Sequence, residues 1–427
     1  MENNCGHQMY ELIKELFPFC RSITGNGVRK TLAVIKKFLP GLTIHEIPTG
    51  TECFDWTIPN EWNIKDAYVE DENGRRVIDF NKDNLHVLNY SIPVNKTVSF
   101  EELDQHLYSR PDMPDAIPYV TSYYSPRWGF CLSHNEREKL GKVNYRVVID
   151  TTLEPGSLTY ADLIIPGEQK EEVLLSTYVC HPSMANNELS GPAVTTFLGK
   201  WLSSQKNRYT YRIVIVPEMI GAIAYLSKHL ATMKERTVAG FQLTCVGDNR
   251  AYSFVPSRKG GTLADRVAKH ELDYRIKEYI KYSFLDRGSD ERQYCSPGVD
   301  LPFVSITRTK YGKYREYHTS LDNLSVVSPD GLQGALDVHC NCIRILENNA
   351  IYKVTTLCEP QLGKRGLRST IGALDFPMQA RQLSNFIAYC DGTMDLISIA
   401  ETIGVYVLDL LPLVSQLREE GLIGKVG

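Results

Sequence analysis

No stretch of this 427-residue chain is apolar for long enough to span a bilayer, which excludes a helical membrane protein. Charge of one sign is not in excess. With 47 basic and 51 acidic residues the net charge is −4, which gives no reason to expect a polyanion as partner. Paired cysteine motifs are missing too. The 11 cysteines are odd in number and run from Cys5 to Cys390 without a CxxC. Cys340 and Cys342 are two apart and read as core thiols on a helix. Met1 to Leu16 mixes Met9, Leu12, Ile13 and Leu16 with polar and charged residues, unlike the order of a secretory signal. Reduced thiols and a cytoplasmic location are therefore expected. We find no internal repeat at solenoid spacing and no low-complexity segment.

What remains is an ordinary globular composition, 43% hydrophobic and 23% charged, long enough for two or three domains. The texture changes along the chain. Residues 1–50 read as helix, turn (Thr24-Gly25-Asn26-Gly27), helix and a strand over Thr43 to Ile47. Residues 51–154 are rich in Tyr, Trp, Val and Thr and read as an inserted β-rich domain. There Asp71-Glu72-Asn73-Gly74 joins the two arms of a hairpin. Over residues 155–350 apolar strands alternate with helices. With residues 1–50 they predict an α/β/α sandwich around a mostly parallel sheet. Its strands are Val173 to Val179, Ile213 to Val216, Phe241 to Val246 and Phe303 to Ile306. Residues 355–427 predict three short helices, Met378 to Tyr389, Leu396 to Ile403 and Val405 to Leu417, in an order resembling a winged helix. Lys364, Arg365 and Arg368 precede them, but Asp391, Asp395, Glu401, Asp409, Glu419 and Glu420 lie on or beside them. No basic recognition face emerges, so a nucleic-acid partner is not expected.

In an open α/β sheet, ligands bind beyond the carboxyl ends of the strands. The polar residues there are His181 with Asn187 and Glu188, then Glu218, then Asp248, then Tyr317, His318 and Asp322. Singly, each has a plain structural role open to it. A strand-end His can be a hydrogen-bonded structural residue, Asp248 can cap a turn and Glu218 a helix. Together, two histidines and two or three carboxylates at successive strand ends suit a metal site that leaves a position for water.

The order His, Asx-x-x-Ser-Gly, Glu, Asp, His-Thr-x-x-Asp resembles the co-catalytic zinc aminopeptidases, a clan that also holds glutaminyl cyclases. More closely, the chain is similar to a bacterial branch of aminopeptidase-like proteins. The motifs that carry this are Arg21-Ser-Ile-Thr-Gly25, Cys180-His-Pro-Ser183, Ser289 to Cys295 and Tyr317 to Asn323. The resemblance spans nearly the whole chain. It implies His181 and Asp248 as ligands of the first metal, His318 as a ligand of the second, and Glu218 as the general base. Two positions depart from the pattern. The metal-bridging Asp is Asn187 here, and a second Glu, a metal ligand, is Met219, a poor one for zinc. Glu188 or Glu291 could supply the missing carboxylate, and Asp322 could orient a histidine ring or cap a helix.

The implied activity is metal-dependent removal of N-terminal residues from a small peptide, or cleavage of a small amide. One or two zinc ions would serve it, with Mn or Co tolerating similar ligands. The alternative is a single-metal or non-catalytic relative used for binding or assembly. The tail leaves room for self-association. The β insert, lying between the first strand and the metal-bearing strands, is expected to cover part of the pocket.

Overall fold

The protein is described by a computed structural model over residues 5–365 and 378–426; Arg368 lies outside the described residues. The chain forms two compact units. One comprises Met1–Asp265 with Glu278–Asp337, the other Arg266–Lys277 with Val338–Gly427. Among the described residues no single helix is long and apolar enough to cross a membrane.

The first unit is built on an eight-stranded sheet. In chain order its strands are β1 (Thr43–Pro48), β2 (Ser157–Ile165), β3 (Glu172–Tyr178), β4 (Thr210–Val216), β5 (Thr237–Gln242), β6 (Ser253–Val255), β7 (Ile280–Lys281) and β8 (Phe303–Thr307). Their spatial order is β1-β2-β4-β3-β5-β8-β6-β7. The central strands β4, β3, β5 and β8 run parallel, and antiparallel pairs lie towards the two edges. Every residue of β3 is buried, which is why it reads as a run rather than an alternation. Its first residue, Glu172, is tolerated inside because Arg212 on β4 meets it at 2.6 Å. Four helices matter below: α1 (Cys5–Leu16), α2 (Asn26–Phe38), α3 (Ser190–Ser203) and α4 (Ile220–Arg236).

One strand differs from expectation. The segment predicted over Phe241 to Val246 is β5, which begins at Thr237 and ends at Gln242. Leu243 still donates to Ser176 O at 2.8 Å, but Cys245 takes φ 50°, which ends the extended chain. The backbone there runs against the start of α3. A Cβ on Gly191 would lie 2.3 Å from Leu243 O, so only glycine allows the approach.

In the β-rich segment four antiparallel strands pair in the order Arg76–Asp79, Glu61–Glu70, Tyr145–Glu154, Val94–Val98. Asp71 forms the hairpin turn by accepting from the N–H groups of Asn73 and Arg75, and Gly74 supplies φ 73°. Trp62, Val69, Val147 and Ile149 fill the interior.

The second unit carries a three-stranded antiparallel sheet, Asp391–Asp395, Ile351–Val354 and Ile423–Lys425, with Ile351–Val354 central. Its helices include Met378–Tyr389 and Leu396–Ile403, as the periodicity predicts. The third begins at Leu411 after a 3-10 turn over Val407–Leu410, not at Val405. Pro412 sets that start, since a helix's first turn needs no proline N–H.

Candidate active site

His181 stands three residues past the end of β3, and Glu218 two residues past the end of β4. Parallel pairing of these strands puts the two side chains together, with His181 Nε2 3.6 Å from a Glu218 oxygen. The other ring nitrogen, Nδ1, lies 2.7 Å from Glu188. Glu188 reaches back because Ala185–Leu189 forms a π-turn ahead of α3, a device often found at functional sites. With Nδ1–H donated to Glu188, the Nε2 lone pair is left towards Glu218.

The network extends to Arg21, which is fully buried. Its guanidinium donates to His181 O at 2.9 Å and Leu16 O at 2.8 Å, and stands 3.5 Å from Glu188. Burial pulls its pKa down while the Glu188 charge opposes that. For His181, burial favours the neutral ring, but the hydrogen bond and charge of Glu188 win and raise its pKa. Burial raises the Glu218 carboxyl above its usual range, against the pull of His181 and of the nearby Ser289 hydroxyl. Asp290 is raised further, by burial and then by Glu218. Its Oδ1 accepts from Met219 N at 2.7 Å. The site is thus an acid-rich pocket in which burial holds back ionisation.

His318 closes the other side. Its ring centroid is 5.3 Å from that of His181, and Tyr317 stacks on it at 3.9 Å. Burial, then the charge of His181, pushes its pKa down to about 3. Its Nε2 is buried without a hydrogen-bond partner. Backbone strain gathers here: Ser183, Met219, Cys245 and His318, four of nine non-glycine residues with positive φ among those described, lie in these loops.

Asp248 does not join this cluster. Because β5 stops at Gln242, Asp248 lies six residues past the strand end. Its oxygens accept from Asn186 Nδ2, Arg250 N, Thr309 N and Thr309 Oγ1. These four hydrogen bonds tie the β5 loop to the start of α3 and to Thr309. Asp322 orients no histidine either. It caps the N–H groups of Asn186 and Asn187 at 2.8 and 2.9 Å and accepts from Tyr314. Glu188 fills the orienting role. Glu291 accepts from Gly288 N, Ser289 N and Tyr311 Oη, and its Oε2 is buried without a partner. Asn187 donates from Nδ2 to Tyr178 Oη at 2.7 Å, and Tyr178 donates to Asn187 O at 2.9 Å. That network needs a donor at position 187, which an aspartate could not provide when ionised. Met219 Sδ accepts from Gln293.

Three further residues were not singled out from sequence. Arg21 and Asp290 stood inside quoted motifs without a role. Tyr119 comes from the β-rich segment, where residues 117–120 run against the His318 loop. Tyr119 N donates to His318 O at 2.9 Å, and Pro118 bridges to Thr319. The Tyr119 ring meets His181 at 5.1 Å and His318 at 5.2 Å. Tyr119→Ala is expected to raise the rate of diethylpyrocarbonate modification of both histidines severalfold, read by peptide mass spectrometry. An unchanged rate would mean that this strap does not limit access.

For a metal, the three grouped ligand types among the described residues are Cys180, His181 and Glu188. The His181–Glu188 separation is a hydrogen bond, and burial, then Glu188, raises the Cys180 thiol well above its usual range. Outside that trio, His318 Nε2 and Asn187 Oδ1 are buried without a hydrogen-bond partner, and His181 Nε2 lies 3.6 Å from Glu218. By donor type, two imidazoles and one neutral amide oxygen are what a single divalent ion accepts, with Glu218 left as a proton acceptor, but only Cys180, His181 and Glu188 gather their ligand atoms within 4.8 Å of one another. With no bridging carboxylate at position 187 and no carboxylate at position 219, the imidazoles and the amide do not suit a pair.

The mostly parallel α/β sheet is similar to the fold of zinc aminopeptidases. A zinc aminopeptidase from Bacillus subtilis shares the fold, with a TM-score of 0.58 at 12% identity over 80% of this chain and 94% of that one. The chain belongs to the family described as a domain of unknown function, DUF4910, whose model matches residues 10–349. A winged helix-turn-helix model matches residues 350–425. A Clostridium acetobutylicum protein named for polysaccharide biosynthesis and an aminopeptidase-like domain is 46% identical over 402 residues, 94% of this chain and 92% of the relative. A crystal structure from the same organism, named for a peptidase, superposes with a TM-score of 0.94 at 43% identity, covering 99% and 96% of the two chains.

Proposed function

We propose that this chain is a single-metal hydrolase of aminopeptidase design that cleaves the N-terminal residue of a small peptide or a small amide. The observation that carries the reading is the Glu218 carboxylate, raised by burial and 3.6 Å from a His181 nitrogen whose tautomer Glu188 sets. His181 and His318, helped by Asn187 Oδ1, would hold the ion. A bound divalent ion supplies a Lewis acid and a more acidic water. Glu218 takes the proton of the attacking water and returns it to the leaving amine. Tyr119 and Tyr317 wall the pocket and restrict it to small groups. The clostridial relative's name, joining an aminopeptidase-like domain to polysaccharide biosynthesis, supports a small amide as readily as a peptide.

A second reading, a pocket that binds without catalysis, is favoured by Asn187 and Met219. Metal content separates the two. Tag-free protein loaded with zinc and dialysed is expected to hold about one ion per chain by mass spectrometry, and His181→Ala with His318→Ala to hold none. A zinc-free wild type would sink the hydrolase reading.

A further inference from the structure

A cavity of about 400 Å³ lies against the start of α2, lined by none of the residues of the His181 site. Two short links separate them. Cys20 lines the cavity while its neighbour Arg21 holds His181 O, and Asn84 in the cavity wall donates to Ser183 Oγ at 2.7 Å. The volume is in the range of small-molecule sites.

The lining has a distinct chemistry. Four side-chain amides face it, from Asn26, Asn63, Asn81 and Asn84, with Thr24 and Lys30. Phe19 supplies partly exposed aromatic surface, Trp62 and Phe80 in the wall are buried, and no carboxylate is among the lining residues. Much of the polar capacity is spent within the wall. Asn63 Oδ1 accepts from Asn26 N, Asn81 Nδ2 goes to Asp66, and Asn84 Nδ2 goes to Pro18 O and Ser183. That leaves Asn81 Oδ1 and Asn84 Oδ1 as acceptors, and Asn26 Nδ2 and the Lys30 ammonium as donors. The wall is preformed. Gly25 sits at φ 95°, where a Cβ would lie 2.0 Å from Trp62 O, and a Cβ on Gly27 would lie 2.0 Å from Cys20 O. Trp62 is locked by its Nε1 donation to Ser91 O at 2.9 Å.

A phosphate or carboxylate only accepts hydrogen bonds and would face two amide oxygens here. An apolar ligand would strand the amides. A ligand of hydroxyl groups, each able to donate and accept, satisfies both sets, and a C–H face can lie on the Phe19 ring. We propose that this cavity is a binding site for a saccharide unit. It goes beyond the hydrolase reading and does not depend on it.

The test uses the full-length protein and saturation-transfer difference NMR with N-acetylglucosamine and with glucose, and inorganic phosphate followed by 31P line width. Transfer to at least one sugar is expected. It should weaken about tenfold in affinity in Asn81→Ala and in Phe19→Ala, each the loss of one good contact. Both side chains are at least partly exposed, so the variants should keep the wild-type melting temperature. No transfer from either sugar overturns the proposal. So does line broadening by phosphate alone, which would make Lys30 and the start of α2 an anion site, and so does transfer that both variants leave unchanged.

Discussion

Glu218→Gln is expected to lower turnover by about 10²–10⁴-fold, the usual worth of a positioned proton acceptor. The substitution keeps the shape of the side chain, so the fold should survive. Stability should hold or rise. The wild-type carboxylate is half-buried near Glu188, Glu291 and Asp290, and an uncharged amide relieves that repulsion. Zinc content should stay near the wild-type value, because the imidazoles provide the main ligands. The measurement is kcat on aminoacyl chromogenic substrates or small amides, beside metal content and thermal melting. Loss of activity with metal and stability intact is the signature of a base. Full activity in the variant would remove Glu218 from the chemistry, and loss of metal would make it a ligand.

Arg21→Ala carries the largest expected effect on stability, about 3–5 kcal/mol, the range for breaking a buried ion pair by removing one partner. Arg21 and Glu188 side chains are both fully buried, and the guanidinium also satisfies the carbonyls of Leu16 and His181. Removing it leaves Glu188 charged in a dry site. Adding Glu188→Gln to Arg21→Ala should recover part of the loss, because the uncompensated charge is gone. Arg21→Lys should recover little, since an ammonium cannot reproduce the fork that spans Leu16 O and His181 O. Urea denaturation of the three variants tests this. A loss under 1 kcal/mol for Arg21→Ala would mean that water or a rearranged Glu188 replaces the pair.

Much of the site could be read from residue order. His181 and Glu218 follow apolar runs that become β3 and β4, and adjacent parallel strands leave their carboxyl ends side by side. Asn187 and Met219 were visible as departures because a single changed side chain alters ligand chemistry wherever it sits. The end of the strand before Asp248 was not legible, for a local reason. Phe241-Gln-Leu-Thr-Cys-Val246 looks like one strand, and nothing in its composition shows that Cys245 adopts positive φ to pass Gly191. The short strand Asp391–Asp395 was invisible because its sequence, Asp-Gly-Thr-Met-Asp, lacks apolar alternation and pairs only once Ile351–Val354 is beside it.

By itself the sequence determined the fold class, the hairpin at Asp71–Gly74, and which chemical groups stand at the strand ends. Hydrophobic period, turn residues and side-chain identity are local properties. Only the tertiary structure decided that Glu188 orients His181, that Asp322 caps the π-turn, that Asp248 is already bound, and that Tyr119 lies against both histidines. Those are contacts between residues 7 to 199 positions apart. Which hydrogen bond a carboxylate makes depends on the donors that folding brings within 3 Å, and no local pattern encodes that.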